Sequence, residues 1–252
     1  MDGERAEDRS VLAIGGADRT RFLQGLITRD PVPGGLAYAA LLTPQGKYLA
    51  DFFVLDRAEE VLLDVPAPLA QGLLQRLTMY RLRADVTLET TEIAVARGVG
   101  PCPDGAFADP RHPSLGWRAY GVDGGAAQVD WDALRVAACI PEFGAELQPN
   151  DTYILEAGFE RIGGVDHRKG CYVGQEVTAR MKHKTTLRKG FVTVDVQGAA
   201  EPGAAIEAGG REVGRITTRA GDQAIAYLRF DRAAPMMQAG EAQVTWAGAD
   251  AA

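Results

Sequence analysis

No two cysteines in this chain are spaced to clip a metal ion: Cys102, Cys139 and Cys171 are the only three, with no CxxC pair among them. An odd, scattered set excludes a disulfide framework and a self-contained zinc or iron–sulfur site. Long apolar runs are missing too. The longest uncharged stretch, Pro31 to Gly46, is broken by prolines and glycines, and nothing reaches the roughly 18 apolar residues of a membrane-spanning helix. Nor is there an excess of positive charge: 27 Lys and Arg stand against 34 Asp and Glu, a net charge of −7. A protein that coats nucleic acid over its whole surface would carry the opposite sign. The start, Met1-Asp2-Gly3-Glu4-Arg5-Ala6-Glu7-Asp8, is acidic without an apolar stretch, so it reads as neither signal nor transit peptide. These absences predict a cytoplasmic globular protein.

What is present suffices for a core. Of 252 residues 46% are hydrophobic, and 30 glycines with 13 prolines make the chain loop-rich without low-complexity character. Ser10 to Ile14 reads as a strand ending in Gly15-Gly16. Asp18 can cap a helix with apolar positions Phe22, Leu23, Leu26 and Ile27. Leu36 to Leu42 and Lys47 to Leu55 read as strands joined by the turn Thr43-Pro44-Gln45-Gly46, followed by a strand at Val61 to Val65. Leu69, Leu73, Leu74, Leu77 and Tyr80 mark an amphipathic helix, and Arg81 to Leu88 alternates like a strand. That order fits a split βαβ, ferredoxin-like unit over residues 1–90. A second α/β unit is expected over 91–188, with Asp130 capping a helix that Pro141 ends. After Lys189, short β-like runs between glycine turns (Phe191 to Val196, Glu212 to Arg219, Ala224 to Phe230, Ala242 to Trp246) suggest a small barrel over 189–252.

One segment stands apart. Between His167 and Gly190 lie seven Lys or Arg and one acid, Glu176, a local charge of +6 on an acidic protein. Such an island favours an anionic ligand held in one place. Val173, Val177 and Met181 are spaced by four, so a helix after Gly170 buried along that stripe is expected, with Glu176 and Arg180 as a favourable i,i+4 pair. Cys171 then falls at the helix start beside Arg168 and Lys169, where a thiolate is stabilised. The alternative is a small buried filler, the usual fate of a free cysteine. Lys182-His183-Lys184 can equally be a solvated face. Asp51, a carboxylate within Tyr48-Leu49-Ala50-Asp51-Phe52-Phe53, is either an outward strand position or a buried acid facing a ligand. Cys102 and Cys139 read as structural.

Lys169-Gly170-Cys171-Tyr172-Val173-Gly174-Gln175-Glu176, with Arg180 beyond it, resembles the K-G-C-Y-x-G-Q-E signature of YgfZ-type folate-binding proteins, relatives of the glycine-cleavage T-protein. Supporting matches are Phe22 to Asp30, Pro44 to Lys47 and Met79 to Val86. The resemblance implies an α+β fold, a three-subdomain cloverleaf around a folate channel. It also implies a tetrahydrofolate-binding accessory protein for assembly or repair of iron–sulfur clusters, working with client or scaffold proteins. Cys171 would be its functional thiol, and Asp51, Lys169, Tyr172, Gln175, Glu176 and Arg180 would line the folate site; no resident metal is expected. The departures are informative. T-proteins carry an Asp-Asp pair where this chain has Ala50-Asp51, and an acid where it has Ala137. Losing those carboxylates argues against aminomethyl transfer. A folate-dependent one-carbon transferase acting on a small amine or RNA base remains the alternative, and plain RNA binding through the basic island a weaker one.

Overall fold

The computed structural model describes residues 3–184 and 186–248; Met1 and Asp2 of the acidic start, Thr185, and positions 249–252 of the expected C-terminal module lie outside them. The chain groups into two units. The first comprises Met1–Val129, Pro149–Asp151 and Phe159–Val177; the second comprises Asp130–Gln148, Thr152–Gly158 and Thr178–Ala252. The chain passes from one unit to the other several times.

In the first unit the elements run β1 (Glu4–Arg5), β2 (Arg9–Gly15), α1 (Arg19–Gln24), β3 (Leu36–Leu42), β4 (Tyr48–Asp56), β5 (Val61–Pro66), α2 (Ala67–Arg81), β6 (Thr87–Thr90), β7 (Val95–Gly98), β8 (Phe107–Ala108) and β9 (Trp117–Tyr120). β3-β4-β5-β2-β6 form an antiparallel sheet, and β1-β7-β9-β8 a second, smaller one. Read from β6 inward, the larger sheet has the split βαβ order with β3 added at its edge. β4 and β5 are buried on both faces, which is why they read as continuous apolar runs. Leu12, Phe52, Val54 and Leu63 face α2 through Leu73 and Leu77. Val11, Leu55 and Leu62 pack against Val95 and Tyr120 of the smaller sheet.

Two expectations are corrected here, and a bulge adds a third local feature. α1 stops at Gln24, and Asp18 does not cap it: its carboxylate accepts from the Asp85 backbone N–H at 2.9 Å instead. The strand expected from Arg81 begins only at Thr87, because α2 runs on to Arg81 and ends with Leu82 at φ +46°. In β4 the pairing jumps from Leu41 opposite Ala50 to Leu42 opposite Tyr48. Leu49 is the extra residue of this β-bulge, so Tyr48 falls on the same face as Asp51, where regular alternation would separate them.

The second unit holds α3 (Trp131–Ala137), the greater part of α4 (Gln175–Lys184), and β10 (Lys189–Gln197), β11 (Ala205–Ala208), β12 (Arg211–Ala220), β13 (Gln223–Arg229), β14 (Met236–Ala239) and β15 (Ala242–Thr245). These six strands close into a barrel in the order β10-β13-β12-β11-β14-β15. Val192, Val194, Ile206, Val213, Ile216, Leu228 and Val244 belong to its core. Asp130 caps α3 as expected, accepting from Ala133 N–H at 2.9 Å. Arg135 is buried on α3, donating to Glu146 at 2.9 Å and Thr218 at 2.7 Å. Among the described residues no helix is long and apolar enough to cross a membrane.

Candidate functional site

Three segments matched by the resemblance converge in the first unit. Thr28 ties residues 163–166 to β3: its hydroxyl donates to Gly164 O at 2.6 Å and accepts from Ala40 N–H at 2.8 Å, while its carbonyl accepts from Asp166 N–H. Arg29 donates to Gly163 O at 2.7 Å. The Lys169 ammonium then meets three acceptors, Asp30 Oδ1 and Gln24 O at 2.9 Å each and Ile27 O at 2.5 Å. The two carbonyls take hydrogen bonds from the ammonium, and Asp30 is its ion-pair partner. Its side chain is 3% exposed, and burial pushes the amine below its usual value, with Asp30 opposing. Tyr172 is buried, its ring centroid 5.2 Å from Lys169 Nζ. Beyond it Gly174 (φ +84°) lies against the hairpin turn, where a Cβ would stand 2.6 Å from Thr43 O. Gly46 (φ +76°) meets Val177 in the same way. Both contacts demand glycine.

Cys171 lies between those anchors, and it is exposed. It does not start the helix: α4 begins at Gln175, four residues on, because Gly174 turns the chain away from helical geometry to clear the hairpin. Of its neighbours, Arg168 pairs with Asp166 and Lys169 with Asp30. The expected placement of Cys171 at a helix start is therefore not found. The expected buried stripe is also corrected. Val173, Val177 and Met181 are half-buried, and the buried residue of α4 is Thr178. Gln175 is half-buried, Glu176 and Arg180 are exposed, and Lys182-His183-Lys184 is a solvated end. Lys169, Cys171, Tyr172, Gln175 and Glu176 thus share one anchored stretch of the first unit. Arg180 belongs to the second.

Asp51 is not part of that stretch. It is buried, and both its oxygens accept from phenols: Oδ2 from Tyr38 at 2.9 Å, Oδ1 from Tyr48 at 2.6 Å. Burial, then the carboxylate beside them, pushes both phenols well above their ordinary value. On the same sheet face lies a cluster that the sequence reading missed. Arg9 and Arg118 bind Asp64 at 2.6 and 3.0 Å, and Arg111 binds Asp109 at 2.8 Å. The three guanidinium carbons stand 5.5, 3.9 and 4.7 Å from the Phe53 ring centroid (Arg9, Arg118 and Arg111). Asp64 inside Val61-Leu62-Leu63-Asp64-Val65 was the same signal as Asp51: a carboxylate in an apolar strand. Among the described residues no group of three or more His, Cys, Asp or Glu could hold a metal ion.

Residues 188–252 match the family model described as CAF17, C-terminal beta-barrel domain. The chain is similar to the mitochondrial iron–sulfur cluster assembly factor IBA57 of Homo sapiens, 31% identical over 271 residues, covering 89% of this chain and 76% of the relative. The Mus musculus counterpart is 29% identical, covering 90% and 77%. The glycine cleavage system aminomethyltransferase T of Bartonella henselae superposes with a TM-score of 0.76 at 14% identity, covering 95% of this chain and 82% of that one, a likeness of fold. The cytoplasmic reading is overturned, since these IBA57 relatives are named as mitochondrial proteins. It rested on cysteine usage and an acidic start, and few unpaired cysteines fit any reducing compartment.

Proposed function

Because the chain belongs to the IBA57 family of iron–sulfur cluster assembly factors, we propose that its working group is the Cys171 thiol, offered as one ligand to iron in a cluster that a partner protein holds with the rest. The observation behind this is the placement of Cys171. It is an exposed thiol on a segment pinned by buried Lys169 on one side and buried Tyr172 on the other. Clusters take about four protein ligands, so one cysteine works only in a shared complex. The thiol ligates as thiolate, and its proton passes to solvent as iron binds.

Two of the side chains that the resemblance ascribes to a tetrahydrofolate site have partners within the protein. Both Asp51 oxygens accept from phenols, the Lys169 ammonium donates to two carbonyls beside Asp30, and Ala137 stands where the resemblance places an acid. Tyr172 is buried beside Lys169. The transferase alternative loses its proton-handling carboxylate for the same reason. The RNA alternative loses Lys169 to Asp30 and Lys189 to Glu156, 3.7 Å away.

The test is anaerobic mixing with a cluster-loaded iron–sulfur scaffold protein, read by visible circular dichroism and gel filtration. Wild type and Cys102→Ser should form a coloured complex, and Cys171→Ser should not. A coloured complex of undiminished yield with Cys171→Ser would move the function away from this thiol.

A further inference from the structure

The solvent side of α2 takes no part in anything above. From Ala67 to Ala84 the only charged residues are Arg76, Arg81 and Arg83; no Asp, Glu or Lys occurs, on a chain of net charge −7. Exposed helix faces ordinarily carry charges of both signs, whereas interfaces are rich in Arg, Met and Tyr and poor in Lys, Glu and Asp. Pro68, Gly72, Gln75 and Met79 stand at i, i+4, i+7 and i+11, so they form one row about 16 Å long. All four are exposed, and Met79 is 66% so. Leu82, which follows the helix, is 88% exposed and sits at positive φ, a backbone state that leucine rarely adopts.

Beside that row a cleft of about 180 Å³ opens between α2 and the ends of β3 and β4. Leu41, Leu49, Leu69 and Leu73 supply apolar walls, and Gly72 and Arg76 line it from the helix. Gly72 has no positive φ, and a Cβ there would meet nothing within 4 Å. Neither a turn nor a close approach requires glycine, and glycine is unfavourable inside a helix. Gly72 lines the cleft without a side chain of its own.

We propose that this face docks an acidic, aliphatic segment of a partner protein. An aliphatic side chain of that segment enters the cleft beside Gly72, and its neighbouring carboxylates meet Arg76, Arg81 and Arg83. The charge names the partner chemistry: a stretch with arginine as its only charge is complementary to acid. A lipid surface fits less well, since it asks for a broad apolar face and this row is largely proline, glycine and glutamine. Nothing here depends on Cys171.

The probe is a fluorescein-labelled helical peptide of glutamate and leucine, followed by anisotropy with the full chain. Its controls replace every glutamate by lysine, or every leucine by alanine. Saturable binding of the first peptide alone is expected, falling roughly tenfold or more in Gly72→Leu and in Arg76→Gln. Gly72→Leu adds a helix-favouring residue in open space, and its circular dichroism should match wild type. Failure to bind at millimolar peptide, equal affinity for Gly72→Leu, or preference for the lysine peptide would each overturn the proposal. So would phosphatidylserine vesicle binding, or concentration-dependent dimerisation, abolished by Gly72→Leu; these would assign the face to lipid or to a second copy.

Discussion

Lys169 shows how a residue that looks like a ligand contact can be a fastener. Its ammonium donates to two carbonyls of the segment Gln24 to Asp30 and pairs in charge with the Asp30 carboxylate. Lys169→Met should strand those acceptors and cost about 1–3 kcal/mol, read as a lowered urea midpoint. Lys169→Arg should not restore it, because a planar fork cannot converge on three acceptors as an ammonium does. An unchanged midpoint in Lys169→Met would return Lys169 to the surface and free it for a ligand. The motif around Cys171 was legible in the sequence, and so was the thiol's prominence. The loss of Lys169 as a free cation was not, because Asp30 and Ile27 lie far upstream and only the folded chain brings them under it.

At the scale of elements, strands with a visible alternation could be read and the others could not. β10, β12 and β13 each span seven or more residues and were found, as was four-residue β15 with its Ala242-Gln243-Val244-Thr245 alternation, whereas β11 and β14, also of four, were not. The start of α4 was misplaced because Gly170 and Gly174 are equal as sequence signals. The approach of Gly174 to Thr43 decides between them. The bulge at Leu49 left no trace in residue type, yet it turns Tyr48 toward Asp51. Tyr48→Phe, which removes one phenol from a buried carboxylate, should cost about 1–3 kcal/mol. Deleting Leu49 should cost more, since regular pairing would send the Tyr48 ring to the α2 face. Chemical denaturation of both variants measures this, and a milder effect for the deletion would contradict the role given to the bulge.

For the whole molecule, the arginine–aspartate cluster on Phe53 ties stability to acid. Burial alone would raise the carboxyls of Asp64 and Asp109. Arg9 and Arg118 around Asp64, and Arg111 and Arg118 beside Asp109, hold them below the ordinary carboxylate range. A carboxyl depressed in the folded state contributes stability in full above its unfolded value, about 3.9, and loses it as pH falls through the folded value. Urea midpoints should therefore hold above about pH 4 and drop steeply below it, with Asp64→Asn less stable at neutral pH and flatter in acid. A wild-type midpoint level down to about pH 2 would show that the cluster contributes nothing.

The barrel carries a consequence of another kind. A closed ring has no outermost strand from which to fray, so its loosening has to begin at a seam. Five of its six seams are laddered over three or more residue pairs, while β11 and β14 meet through Glu207 and Gln238 alone. That pair is the clasp of the ring: deuterium enters there first, and the interior strands exchange only after it has let go.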